Sequence, residues 1–190
     1  MKYVSIIILL IFSGFYSDSI YKVKIKRTHE LVISIEKINV VNGIGYFQGK
    51  KVSGTVFENY ASGILQRKST YKFGEKNGEE LSYFENGGLS EMRYFAEGEK
   101  IGIHKGWWPN GNKRFEYQFS SGTYNGIFKE WYENGRNYKN IKYINGKDVY
   151  GKGWRENGKL FMNYIVKDGR RYGIVNSNLC FTIKGNQPVL

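Results

Sequence analysis

The sequence predicts an all-β fold, an elongated single-layer array of antiparallel β-hairpin repeats with a period of about 24 residues. Three observations carry that prediction. Glycines recur in register: Gly54, Gly78, Gly102 and Gly126 are 24 apart, as are Gly63, Gly87, Gly111 and Gly135, and Gly74, Gly98, Gly122 and Gly146. Asn-Gly dipeptides occur eight times, where 17 Asn and 24 Gly in 190 residues would give about two by chance. Aromatic and polar residues alternate, as in Lys113-Arg114-Phe115-Glu116-Tyr117-Gln118-Phe119, which puts rings on one face of a strand. Composition agrees, because so many glycines argue against helices, where each interior Gly costs roughly 1 kcal/mol. With 17% aromatic residues the chain is also a poor candidate for disorder.

Taken in chain order, residues 1–18 read as a secretory signal. Met1-Lys2 carries positive charge, Tyr3 to Phe15 is apolar, and polar Ser17-Asp18-Ser19 follows. A bilayer-spanning helix needs about 20 apolar residues, so a retained N-terminal membrane anchor is the alternative. Export to the periplasm, the cell envelope or the medium is therefore expected. A single cysteine, Cys180, offers no intramolecular disulfide and no multi-cysteine metal site.

Residues 19–48 are expected to supply N-terminal strands and a cap, with Tyr46-Phe47-Gln48-Gly49 as an incomplete first unit. Residues 49–173 form the repeat array. Each unit opens with Gly and a run ending in two aromatics: Tyr83-Phe84, Trp107-Trp108 or Trp131-Tyr132. Asn86-Gly87, Asn110-Gly111 and Asn134-Gly135 then close two-residue turns, expected to be of type I′ because both central residues need positive φ. A second aromatic-rich run follows, and a G-x-x-x-G turn (Gly98 to Gly102, Gly122 to Gly126) ends the unit. Two strands per unit advance the sheet roughly 10 Å, with aromatics at one offset stacking from unit to unit. Residues 174–190 are read as a C-terminal capping strand, Leu179 to Lys184, and a tail.

The pattern of aromatic-x-Asn-Gly, a strand ending in Tyr, and G-x-x-x-G resembles the variant MORN repeat of bacterial proteins often labelled YwqK-family antitoxins. It rests on Tyr83-Phe84-Glu85-Asn86-Gly87, Trp107-Trp108-Pro109-Asn110-Gly111, Trp131-Tyr132-Glu133-Asn134-Gly135 and Trp154-Arg155-Glu156-Asn157-Gly158. The resemblance implies β-hairpins in an elongated array that acts as an interaction or scaffold module. Tyr60-Ala61-Ser62-Gly63 lacks the Asn, and the Trp154 unit lacks the aromatic pair, as befits units that end an array. Choline-binding repeats, which also combine Gly, Trp and Tyr, are similar but have a shorter period.

Catalytic chemistry is hard to place. His29 and His104 are the only histidines, neither stands beside a second ligand type at metal spacing, and His104 reads as a strand-surface residue. Cys180 in a terminal apolar run reads as a small hydrophobe. Glu85, Glu133 and Glu156 repeat at one turn position, which suits a turn role better than acid–base work. No enzyme activity, cofactor or metal is expected.

Charge is the most suggestive feature. The chain carries a net +12, and residues 103–190, with 15 basic and 6 acidic groups, hold +9 of it. That region joins Trp107, Trp108, Trp131, Tyr132 and Trp154 to Lys105, Lys129 and Arg155, a set able to bind an anionic surface or a protein through one sheet face. The same cations also keep an aromatic sheet soluble. The expected function is a non-catalytic exported scaffold that binds another protein, with an anionic lipid or glycan as the other partner class. Nucleic acid is disfavoured by export. An antitoxin or immunity protein with a cognate toxin, and a choline- or glycan-binding wall module, are the alternatives.

Overall fold

The computed structural model describes residues 31–175, so the signal segment expected at 1–18, His29, Cys180 and the strand expected at 179–184 lie outside the described residues. The chain begins with β1 (Val32–Ser34), a 3-10 turn (Ile35–Lys37), β2 (Asn39–Val41), β3 (Ile44–Phe47) and β4 (Lys50–Lys51). The array follows as β5 (Gly54–Asn59), β6 (Leu65–Lys72), β7 (Glu75–Tyr83), β8 (Leu89–Ala96), β9 (Glu99–Trp107) and β10 (Lys113–Ser120). It continues through β11 (Thr123–Tyr124), β12 (Gly126–Trp131), β13 (Asn137–Ile144), β14 (Lys147–Trp154), β15 (Leu160–Lys167) and β16 (Arg170–Ile174).

From β5 onward the strands pair with their chain neighbours, antiparallel, in one continuous meander, with short β11 paired to β10. That is the expected array. Its start differs from the expectation. Tyr46-Phe47-Gln48-Gly49 belongs to a separate three-stranded sheet, β2-β3-β4, and the meander begins at Gly54. Strand β1 then pairs parallel with β5 and covers that edge. Ile33, Val52 and Val56 are buried together there, with Phe47 and Tyr71 against them. The Gly74 amide donates to the Val52 carbonyl at 2.7 Å and the Gly45 amide to the Gly74 carbonyl at 2.8 Å, which ties the small sheet to the array.

All twelve ladder glycines adopt positive φ, but the two turn classes are exchanged relative to the expectation. The type I′ signature, positive φ at both central residues, occurs at Phe73-Gly74, Glu97-Gly98, Ser121-Gly122, Asn145-Gly146 and Asp168-Gly169. At Asn86-Gly87 only the glycine is left-handed. There the Gly87 amide donates to the Phe84 carbonyl and the Phe84 amide to the Gly88 carbonyl, enclosing a three-residue loop with a bulge beside it. The Asn86 carboxamide oxygen accepts from the Gly88 amide at 2.9 Å, and Asn110, Asn134 and Asn157 do the same two residues on. In these four loops Asn thus serves as a side-chain acceptor and not as a positive-φ residue.

A single-layer sheet has no partner layer, so its inner face must be covered by its own side chains. One row of residues crosses that face, a single residue per strand: Val56, Ser69, Glu80, Arg93 on β5–β8, then His104, Tyr117, and on to Phe128, Ile141, Gly151 and Tyr164. Rings zigzag along it. Phe95 and His104 lie 5.7 Å apart by centroid, His104 and Phe119 4.4 Å, Phe119 and Phe128 5.9 Å, and Phe128 and Tyr143 4.7 Å. The expected stacking at one repeat offset is therefore replaced by alternation between two offsets, because neighbouring strands approach more closely than equivalent ones. His104, expected on the surface, is 3% exposed inside this ladder.

Flat rings need room on the neighbouring strand. Gly106 pairs directly with Phe115, and a Cβ at Gly106 would stand 2.2 Å from that ring. Gly106→Ala is expected to cost about 2–3 kcal/mol by overpacking. Gly111→Ala meets nothing within 4 Å and should cost only about 1 kcal/mol, through its φ of +85°. Urea denaturation of the two variants measures the difference, and equal losses would refute the ring-over-glycine packing.

Candidate functional site

Between units, a groove of about 560 Å³ opens on the inner face. Its lining includes the cations Arg93, Lys100 and Arg114, the rings of His104, Trp108, Tyr117, Tyr132 and Tyr138, and Trp131. Strands separated by a full repeat bring these together: Arg114 on β10 reaches across Gly106 to Glu91 on β8, at 2.5 Å. A chain of charges continues from there. Glu91 also pairs with Arg93, whose guanidinium is 4.0 Å from Glu80, and Glu80 is held by Lys76 and by the Ser69 hydroxyl at 2.8 Å. Lys100 is different. Its ammonium lies 5.3 Å from the Phe119 ring centroid and forms no ion pair among the described residues.

The buried titratable groups are fixed in one protonation state at neutral pH. Burial works to raise the Glu80 carboxyl, but the Lys76 hydrogen bond and charge, with Ser69, outweigh it and hold the group below the usual range. Burial lowers the proton affinity of His104, and the charges of Arg93 and Lys100 lower it further, so the imidazole is neutral. Its Nε2 lies 2.9 Å from the Tyr94 carbonyl oxygen, which assigns the proton to that nitrogen. Burial, then the Glu130 carboxylate that accepts the Tyr117 hydroxyl at 2.5 Å, pushes the Tyr117 phenol far up. Lys139, 3.1 Å away, holds Glu130. Among the described residues no three His, Cys, Asp or Glu side chains gather into a metal site.

The eight residues singled out by sequence do not share one face. Trp108, Trp131 and Tyr132 line the groove. Trp154 and Arg155 line a second depression, of about 360 Å³, beside Arg136. Lys105 and Lys129 both stand opposite Glu116, on the other face of the sheet, and Trp107 alternates onto the Lys105 side. Two of the aromatics also hold the array together. The Trp108 indole N–H donates to the Trp131 carbonyl at 3.1 Å, and the Tyr132 hydroxyl to the Trp154 carbonyl at 2.9 Å. Tyr60 makes the equivalent bond to Tyr83 at 2.8 Å, while Phe84, at the fourth such position, has no donor. Lys100, Arg93 and the Tyr117–Glu130 pair were not foreseen, since cross-strand register decides which of their neighbours they meet.

Residues 53–73 and 76–97 match the family model described as MORN repeat variant. These segments are the hairpins β5–β6 and β7–β8, and the hairpins after them keep the same glycine spacing. A search of curated proteins returns no match.

The turn ladder carries its own control. Tyr132→Phe should lose about 1 kcal/mol, and Phe84→Tyr, which adds the missing donor, should gain up to about that amount. Thermal melts of both decide it, and a destabilised Phe84→Tyr would refute the ladder. His104 sets an acid limit. Its depressed proton affinity stabilises the fold fully above pH about 6.5, and that contribution is lost as pH falls through the folded-state value. Melting temperature should therefore drop between pH 7 and 5, with a smaller drop in His104→Phe, which copies Phe128. An unchanged pH slope in that variant would show that His104 is not the sensing group.

Proposed function

We propose that the chain, two hairpins of which match the MORN repeat variant, is a MORN-repeat protein and a non-catalytic, exported scaffold that binds a protein partner through the inner-face groove. The observation that carries this reading is the pairing of an unneutralised cation, Lys100, with an aromatic wall of Trp108, Trp131 and Tyr132. Large rings flanked by cations are the residues that dominate protein interfaces. Here Trp108 and Tyr132 are held by inter-repeat hydrogen bonds, so little ordering entropy is lost on binding. An acidic, apolar-bearing segment of a partner fits that lining.

Two observations weigh against the competing readings. Catalysis needs a group that exchanges protons near neutrality, whereas His104 is buried and neutral and the Tyr117 phenol is pushed far up. A quaternary-ammonium cage needs open ring faces, but the Lys113 ammonium lies 5.6 Å from the Trp131 ring centroid and the Arg114 guanidinium 5.9 Å from that of Trp108. The chain's own cations already occupy those positions.

Pull-down from the envelope fraction, read by mass spectrometry, tests the proposal. The wild-type chain should retain a specific partner that Lys100→Glu and Trp131→Ala each reduce roughly tenfold, with circular dichroism unchanged. Capture that survives in both variants would remove the groove from the proposal. Recovery of the chain only in the cytoplasm would remove export.

A further inference from the structure

The opposite face of the same sheet carries an ordered pattern of its own. Ile103, Ile127, Tyr150, Ile165 and Tyr172 are each between 40 and 50% exposed. Register places them on one side: Lys142 pairs with Ile127 and Tyr150, Tyr150 with Ile165, and Ile165 with Tyr172. Ile103 joins them, because it is two residues from Lys105, and Lys105 and Lys129 both pair with Glu116. The adjoining row reads Lys105, Glu116, Lys129, Asn140, Lys152 and Asn163, one residue per strand. A row of isoleucines and tyrosines, interrupted by Gln118 and Lys142, and a row with a lysine on every second strand from β9 to β14 thus run side by side.

The cations have no acid of their own to answer. Lys105, Lys129, Lys142 and Lys152 form no ion pair among the described residues. Glu116, the acid in their row, is held by Lys113 at 2.7 Å. The positive charge excludes a second copy of the same face as occupant, since like rows would oppose each other. It calls for carboxylates beside apolar side chains.

The spacing narrows the choice further. Lys105, Lys129 and Lys152 sit on every second strand, about 9.6 Å apart. Seven residues of α-helix rise about 10.5 Å, so a helix laid across the strands presents one stripe position to each lysine over about three heptads. Ile103 and Ile127 repeat with the same step and meet the apolar stripe beside it. We propose that this outer face docks an acidic amphipathic helix of a partner protein, lying across β9 to β14, with Ile103, Ile127 and Tyr150 under its apolar stripe and Lys105, Lys129 and Lys152 pairing with its carboxylates. The surface is separate from the groove, so the scaffold holds two partners on its two faces.

The probe is a synthetic helical peptide of about three heptads, apolar at two positions per heptad with Glu alongside. A scrambled peptide of equal composition is the comparison, and fluorescence anisotropy is the readout. The ordered peptide should bind the intact chain, more weakly as salt rises. The triple variant Lys105→Glu, Lys129→Glu, Lys152→Glu should weaken binding tenfold or more, and so should Ile103→Ser with Ile127→Ser. The groove variants Lys100→Glu and Trp108→Ala should bind it like wild type, which separates this result from the fate of the groove. Melting temperatures of all variants establish that they are folded. No binding, equal binding of the scrambled peptide, loss of binding in the groove variants, or capture of phosphatidylserine vesicles without the peptide would each overturn the proposal.

Discussion

The structure depends on rings laid flat across the neighbouring strand. A single sheet without a second layer has nothing else with which to exclude water from its inner face. Phe115 over Gly106 and Tyr164 over Gly151 show how this is arranged, with a glycine opposite each of these two rings. The Phe95–His104–Phe119–Phe128–Tyr143 zigzag then joins successive hairpins, so no hairpin is covered without its neighbours. This is the nearest-neighbour stabilisation of a repeat array, carried by side chains on one face.

Repetition supplies positions, and substitution within a position supplies chemistry. Val56, Glu80, His104, Phe128 and Gly151 occupy one site of the repeat in five successive units. The apolar residue at Val56 suits the small core where the β2-β3-β4 sheet meets the array. Glu80 in the next unit is almost fully buried and is tolerated because Lys76, Ser69 and Arg93 surround it. His104 substitutes an imidazole for a benzene ring and gains a bond to a backbone carbonyl. The groove lies where this row passes from charged to aromatic residues, which is why cations and rings meet there.

The two faces consequently differ in kind. The inner face is a packed surface with a break lined by Lys100, Trp108, Trp131 and Tyr132. The outer face leaves isoleucines, tyrosines and lysines in the open, in rows set by the strand pairing. Basic residues in the second half of the chain therefore do three jobs. Some neutralise buried acids, some cover rings, and some stand free, and only the free ones contribute a field to a partner.

Repeat length, strand content and the hairpin order are local properties, so glycine spacing and aromatic alternation were enough to read them. The family resemblance was legible for the same reason, since the hairpin motif lies within about 24 consecutive residues. Turn type was not. Asn86 and Asn145 precede glycine alike, yet only Asn145 adopts positive φ, because loop length and the strand register on either side select the turn. The face of each residue was readable only up to the bulges, each of which resets the alternation on its own strand; one of them inserts Tyr138 into β13 opposite the Glu130–Trp131 step. The groove was the least legible feature. Its cations and rings come from strands a full repeat apart, and whether a lysine meets a carboxylate, a ring or open solvent is decided by cross-strand register, a relation between segments that no single stretch of sequence contains.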